Sequence, residues 1–193
     1  MMILPKKFYA QPTQRVAPEL LGQLLVFEHP QYVLAGKIVE VEAYLPEGDP
    51  GCHAAGGKTP RNSVMFGPPG FSYVYFCYGN HFLLNVVTEK ENVPGAVLIR
   101  SVEPIDGIEW MQRNRRKQDI RQLTNGPGKL TQAFGITKVH NQMSMVRKPL
   151  YIQKRDFTGT IGRSSRIGLS QGSKLPLRFF VKNNPFVSEK RTS

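Results

Sequence analysis

Glu40 and Glu42 stand two residues apart in Gly36-Lys37-Ile38-Val39-Glu40-Val41-Glu42-Ala43-Tyr44. On a strand, that spacing sends both side chains from one face with backbones about 6.6 to 7 Å apart, which is compatible with a paired-carboxylate hydrolase. An ordinary solvent-facing strand shows the same spacing. Their setting favours chemistry, because Tyr44 follows at once and the next loop supplies His53. A second concentration is Tyr73-Val74-Tyr75-Phe76-Cys77-Tyr78, closed by Gly79-Asn80. Aromatic residues favour strands, but buried tyrosine hydroxyls need partners, and several together edge a pocket or an interface. Beside an anion-attracting surface, such faces suit stacking on nucleobases. Arg100 ends the apolar run Ala96-Val97-Leu98-Ile99, where its charge requires a glutamate or a phosphate as partner. Asn85 interrupts Leu83-Leu84 and Val86-Val87, so its amide must bond to backbone or to the polar edge of a ligand.

The elements that must position these residues follow from periodicity. Val16, Leu20, Leu21 and Leu24 predict an amphipathic helix from Thr13 to Leu24, opened by an N-cap threonine. Tyr32 to Tyr44 reads as a long strand with Val39, Val41 and Ala43 on one face and Glu40, Glu42 and Tyr44 on the other. From Pro46 to Gly70 periodicity is lost in a loop too long to be a mere connector, a length typical of functional loops. Strands are expected over Phe71 to Tyr78, Phe82 to Thr88 and Ala96 to Val102, antiparallel because their links are short. A helix from Ile105 to Asn114 leads into the basic segment Arg113 to Arg121, which reads as a solvated face or a loop. Asn125-Gly126-Pro127-Gly128-Lys129 turns into a short helix from Leu130 to Phe134. Further strands are expected at Leu150 to Gln153, Arg166 to Leu169 and Leu177 to Val181, with a frayed tail from Ser188. The reading is α+β: one domain over 1–193, with a central curved antiparallel sheet and peripheral helices.

Composition narrows the partner. The 193 residues carry 26 Lys+Arg against 14 Asp+Glu, a formal net charge of +12, which favours a polyanion. Cys52 and Cys77 make no disulfide framework, and the histidines lack metal-ligand spacing, so neither metal nor cofactor is expected. The pairing of H-x-E with C-x-x-C that marks zinc nucleobase deaminases is missing, as is the G-x-S-x-G elbow. There is no apolar run of membrane-spanning length and no secretory leader pattern, so a soluble, cytoplasmic, monomeric protein is expected.

The strings Gly36 to Tyr44, Thr59-Pro60-Arg61-Asn62, Met65-Phe66-Gly67-Pro68-Pro69-Gly70, Tyr73-Val74-Tyr75 and Tyr78-Gly79 resemble the alkyladenine, or 3-methyladenine, DNA glycosylase family. Val97-Leu98-Ile99-Arg100, Glu103-Pro104, Asn125 to Leu130, Arg166-Ile167-Gly168 and Leu177-Arg178-Phe179 continue the match in order. The resemblance implies a monofunctional base-excision enzyme that removes alkylated or deaminated purines from double-stranded DNA. It implies that Glu42 activates the attacking water and that Arg100 helps hold it. Tyr44, His53 and Tyr75 would wall a pocket for the extruded base, Asn85 would line it and discriminate among purines, and Tyr78 would wedge into the DNA. Asn80 and the stretch Asp49-Pro50-Gly51-Cys52 depart from the family's commoner residues beside the wedge and the pocket, and bear on lesion preference. Two alternatives come from other classes: a non-catalytic nucleic-acid or lesion binder, and a carbohydrate hydrolase using Glu40 with Glu42, which leaves the positive charge unexplained.

Overall fold

The computed structural model describes residues 2–77 and 79–188. Tyr78 and the tail 189–193, given above as the wedge and as a frayed end, lie outside the described residues. The fold is built on one long strand. Eight strands, β1 (Leu24–His29), β2 (Tyr32–Tyr44), β3 (Ser72–Cys77), β4 (His81–Val87), β5 (Ala96–Asp106), β6 (Leu150–Gln153), β7 (Ile161–Ser164) and β8 (Arg178–Val181), form a curled antiparallel sheet. Its order is β3-β4-β5-β2-β1-β6, with β8 paired to β2 and β7 to β8. The α+β reading with a central antiparallel sheet is therefore met. The β-branched run predicted β2 with its observed bounds.

Among the described residues, four short α-helices accompany the sheet: α1 (Lys6–Tyr9), α2 (Thr13–Glu19), α3 (Ile108–Arg115) and α4 (Pro127–Phe134). Val39, Val41 and Ala43 are buried in one core with Val16 of α2, Leu20 just after it, and Leu130 and Phe134 of α4. That face obeys the alternation expected for β2.

Four local readings are corrected. The first helix ends at Glu19 rather than Leu24, with Pro18 inside it. The chain then turns through Gly22 at φ +83°, and Leu24 opens β1. Thr13 is not the N-cap, which is Pro12; its hydroxyl instead bonds Thr88 and Glu89. β5 runs on to Asp106, which delays the following helix to Ile108. Arg166 to Leu169 is no strand, and the strand in that region is β7, at Ile161–Ser164. Of the basic segment, the Arg113 guanidinium lies 4.8 Å over Trp110, whose ring stacks on Tyr32 at 4.1 Å.

Candidate active site

β2 is enclosed on both edges at the two glutamates. One edge pairs with β5; the other pairs with β1 as far as Lys37 and with β8 at Glu40, Val41 and Glu42. Both glutamates are 0% exposed, covered by side chains and backbone from β5, β8 and the segments around Ile167 and Ser188, which corrects the solvent-face reading. A carboxylate without partners would be costly there.

Glu42 is held by three donors. Its Oε1 accepts from the Ile167 N–H at 2.8 Å and faces Arg100 Nη1 at 3.1 Å, and its Oε2 accepts from the Tyr44 hydroxyl at 3.0 Å. An ionised carboxylate offers about four lone-pair sites, so one further donor, a water, can be accommodated. Arg100 leaves β5 where pairing steps from Glu40–Ser101 to Val41–Ile99, an irregularity of the kind that re-aims a side chain. Burial opposes its charge, but Glu42 and Glu40 outweigh burial and raise its pKa above the ordinary arginine value. The expectation that Arg100 needs a glutamate is met twice.

Glu40 is saturated. Its Oε1 accepts from Arg100 Nε at 2.9 Å, Arg178 Nε at 2.6 Å and the Ser188 hydroxyl at 2.8 Å. Its Oε2 accepts from Ser188 N–H at 2.7 Å and the Ser101 hydroxyl at 3.1 Å. Burial opposes this charge too, yet Arg100 and Arg178 hold the carboxyl below its usual range. A carboxylate so engaged has no site left for a sugar or its water, which counts against the carbohydrate-hydrolase reading.

Tyr44 joins Glu42 to a cavity of about 40 Å³ lined also by His53, Tyr73, Tyr75, Asn85 and Leu169. The space suffices for about one water, so a larger guest requires the walls to yield. Within it, His53 Nδ1 shares a hydrogen bond of 2.9 Å with the Tyr73 hydroxyl, and the His53 ring meets Tyr75 edge-on at 4.6 Å. Burial, and then Arg61, lower the His53 pKa, which keeps the ring neutral near pH 7. Burial pushes the Tyr73 hydroxyl up to about 12, so it stays protonated. The Asn85 amide donates to the Tyr73 carbonyl at 3.0 Å, the backbone partner that its buried place demanded.

The loop that carries His53 is fixed by a buried ion pair. Asp49 receives Arg166 through both oxygens, at 2.7 Å and 2.5 Å, and also accepts from the N–H groups of Leu45 and Gly51. The Arg166 guanidinium reaches the Ala43 carbonyl at 2.9 Å and lies 4.7 Å over the Tyr44 ring. Gly51 must be small, because a Cβ there would sit 2.8 Å from Arg166 Nη2. Asn62 closes the loop's far end, donating to the carbonyls of His53 and Gly57.

A family profile described as methylpurine-DNA glycosylase matches residues 7–185. The chain belongs to that family. A relative from Chlorobaculum tepidum is 46% identical over 185 residues, covering 94% of this chain and 88% of its own. One from Chlorobium phaeobacteroides (strain DSM 266) is 44% identical over 196 residues, covering 100% of both chains. One from Carboxydothermus hydrogenoformans is 47% identical over 192 residues, covering 98% of this chain and 100% of its own. Each of the three bears the name "Putative 3-methyladenine DNA glycosylase".

Within this member of the methylpurine-DNA glycosylase family, Glu42, Arg100 and Tyr44 come together at one end of the cavity, and His53, Tyr75 and Asn85 line it. Sequence reasoning missed Asp49, Arg166, Arg178, Ser188, the Ile167 N–H and the pairing of Tyr73 with His53. Arg178 carried the signal that betrayed Arg100, a charge set among apolar strand residues; Asp49 carried none.

Tyr44→Phe keeps the ring in the cavity and removes one donor from the Glu42 anion. Losing one hydrogen bond to a charged group costs on the order of 1.5 to 3 kcal/mol. If that bond orients Glu42 for excision, the single-turnover rate of Tyr44→Phe falls at least tenfold. A wild-type rate would dissociate the Tyr44 hydroxyl from the chemistry.

Proposed function

We propose that the protein excises alkylated or deaminated purines from double-stranded DNA by simple hydrolysis, with Glu42 activating the water. The observation that carries this is the placement of an Arg100-paired carboxylate directly behind an aromatic cavity, with Tyr44 common to both. Family membership makes the reaction the cleavage of an N-glycosyl bond by a DNA glycosylase. The net charge of +12 suits a phosphate backbone.

A glycosidic bond inside a duplex is out of reach, so the damaged nucleotide must swing out at a cost of a few kcal/mol. Stacking on Tyr44 and Tyr75 would return about 1 to 3 kcal/mol. A purine made cationic by alkylation would gain roughly 0.5 to 2 kcal/mol more from the tyrosine faces. Entry requires the cavity to widen beyond its volume of about 40 Å³. The alkylated base leaves with its bonding electrons as a neutral purine, and positive charge develops on the sugar. Glu42, as an anion, stabilises that charge and takes a proton from the water that adds to the sugar. Arg100 directs Glu42 and the water, Asn85 sorts purines by its amide, and an abasic site remains.

The enclosure of Glu42 favours one other reading, a lesion binder without chemistry. Duplex oligonucleotides carrying a single alkylated adenine, ethenoadenine or hypoxanthine separate the two after alkali treatment. Strand breaks at the lesion are the expected result; tight binding without breaks would establish the binder instead. Tyr78, before the Gly79 turn, is proposed as the wedge. Tyr78→Ala should lower excision from duplex at least tenfold more than from single strands, since only the duplex must be opened. Equal losses on both would remove the wedge role.

A further inference from the structure

We infer that Glu40, which touches neither the cavity nor any reacting group, is a positioning residue that keeps Arg100 from neutralising Glu42. The inference rests on the proposed role of Glu42. A guanidinium is a planar, rigid fork, so fixing one edge fixes where the rest points. Glu40 and Ser188 occupy the Nε and Nη2 edge of Arg100, at 2.9 Å and 3.4 Å, and only Nη1 is left to reach Glu42, at 3.1 Å. Contact is thereby limited to one oxygen of Glu42, while Tyr44 holds the other.

Without the carboxylate at position 40, no negatively charged group among the described residues restrains that edge. Arg100 then turns its fork onto both oxygens of Glu42, the bidentate arrangement that arginine and carboxylate adopt most readily. A carboxylate locked in that way is a poor proton acceptor. Arg178 keeps Glu40 from itself being drawn to Arg100 alone, since Glu40 Oε1 is shared between the two guanidiniums. Among the described residues, the charged and titratable groups facing Glu42 are Tyr44 from β2, Arg100 from β5, and, farther off, Arg166 from the 165–172 segment and Tyr75 from β3. None of them replaces Glu40 at the far edge of Arg100.

The test uses Glu40→Gln and, because that change strands Arg178 in the interior, also the charge-balanced pair Glu40→Gln/Arg178→Gln. Single-turnover excision of a methylated purine from duplex DNA is measured beside an equilibrium titration of the same duplex. In whichever variant folds, the plateau rate should fall at least tenfold while affinity for damaged duplex stays within threefold of wild type. Glu40→Asp, which keeps the charge beside Arg100, should recover most of the rate. A structural role would lower affinity and rate together, and that result, or a folded double variant that excises within threefold of wild type, overturns the inference. Glu42→Gln, run alongside, separates it from the reading beneath: wild-type excision by the position-40 variants with an inert Glu42→Gln removes the positioning role alone, whereas an active Glu42→Gln removes both.

Discussion

Glu42→Gln is expected to lose about 10²- to 10⁴-fold of single-turnover excision, the usual range for a positioned acid or base. That loss corresponds to about 3 to 5 kcal/mol of transition-state stabilisation. The substitution is nearly isosteric and its carbonyl oxygen can still accept from Ile167 N–H, but the anion opposite the developing sugar cation is gone. Damaged duplex should still bind within a fewfold of wild type, since Glu42 is buried behind Tyr44 and does not line the cavity. The measurement is a rate with enzyme in excess beside an equilibrium titration of the same oligonucleotide. A variant that excises within threefold of wild type would end the general-base role and leave Arg100 and the aromatic walls to explain catalysis.

Asp49→Asn should be the most destabilising change near the cavity. The side chains of Asp49 and Arg166 are both 0% exposed, and neutralising one leaves the other as an uncompensated interior charge. Breaking such a pair costs about 3 to 5 kcal/mol. For a domain of this size that lowers Tm by roughly 6 to 20 °C. The functional effect follows from the same contact, because Arg166 flanks the Tyr44 ring and Asp49 anchors the loop bearing His53. Calorimetry of Asp49→Asn beside the pair Asp49→Asn/Arg166→Met checks the cause, and the pair should recover a good part of the stability. A drop below about 2 °C in the single variant would show that water or a neighbour satisfies Arg166.

The strands legible in the sequence were those whose signal is local. β2 was bounded by its β-branched run, and β6 by its short apolar one. β1 was lost because Leu24 completes a helical spacing with Leu20 and Leu21, although Pro18 and Gly22 stop the helix first. The 166–169 stretch read as a strand because Ile167 and Leu169 alternate, yet its backbone is committed to Glu42 through the Ile167 N–H. Arg100 and Asn85 could be picked out because each violates the pattern of its own strand, and Tyr44 because it directly follows the two glutamates. Asp49 and Ser188 violate nothing nearby. Their partners lie 117 and 148 residues away, a distance over which no periodicity reports. The burial of Glu40 was hidden for the same reason, since Arg178 and Ser188 cover it from far along the chain.

The clasp of Ser188 on Glu40 also sets a schedule for synthesis. The two glutamates leave the ribosome early, but Arg178 follows 138 residues after Glu40 and Ser188 follows 148 residues after it. A nascent chain that has emerged only through β7 holds both glutamates with Arg100 and Ser101, but without the Ile167 N–H, Arg178 and Ser188 that complete their partners. The ring of donors around Glu40 therefore closes with Ser188, after every residue of the cavity is already in place.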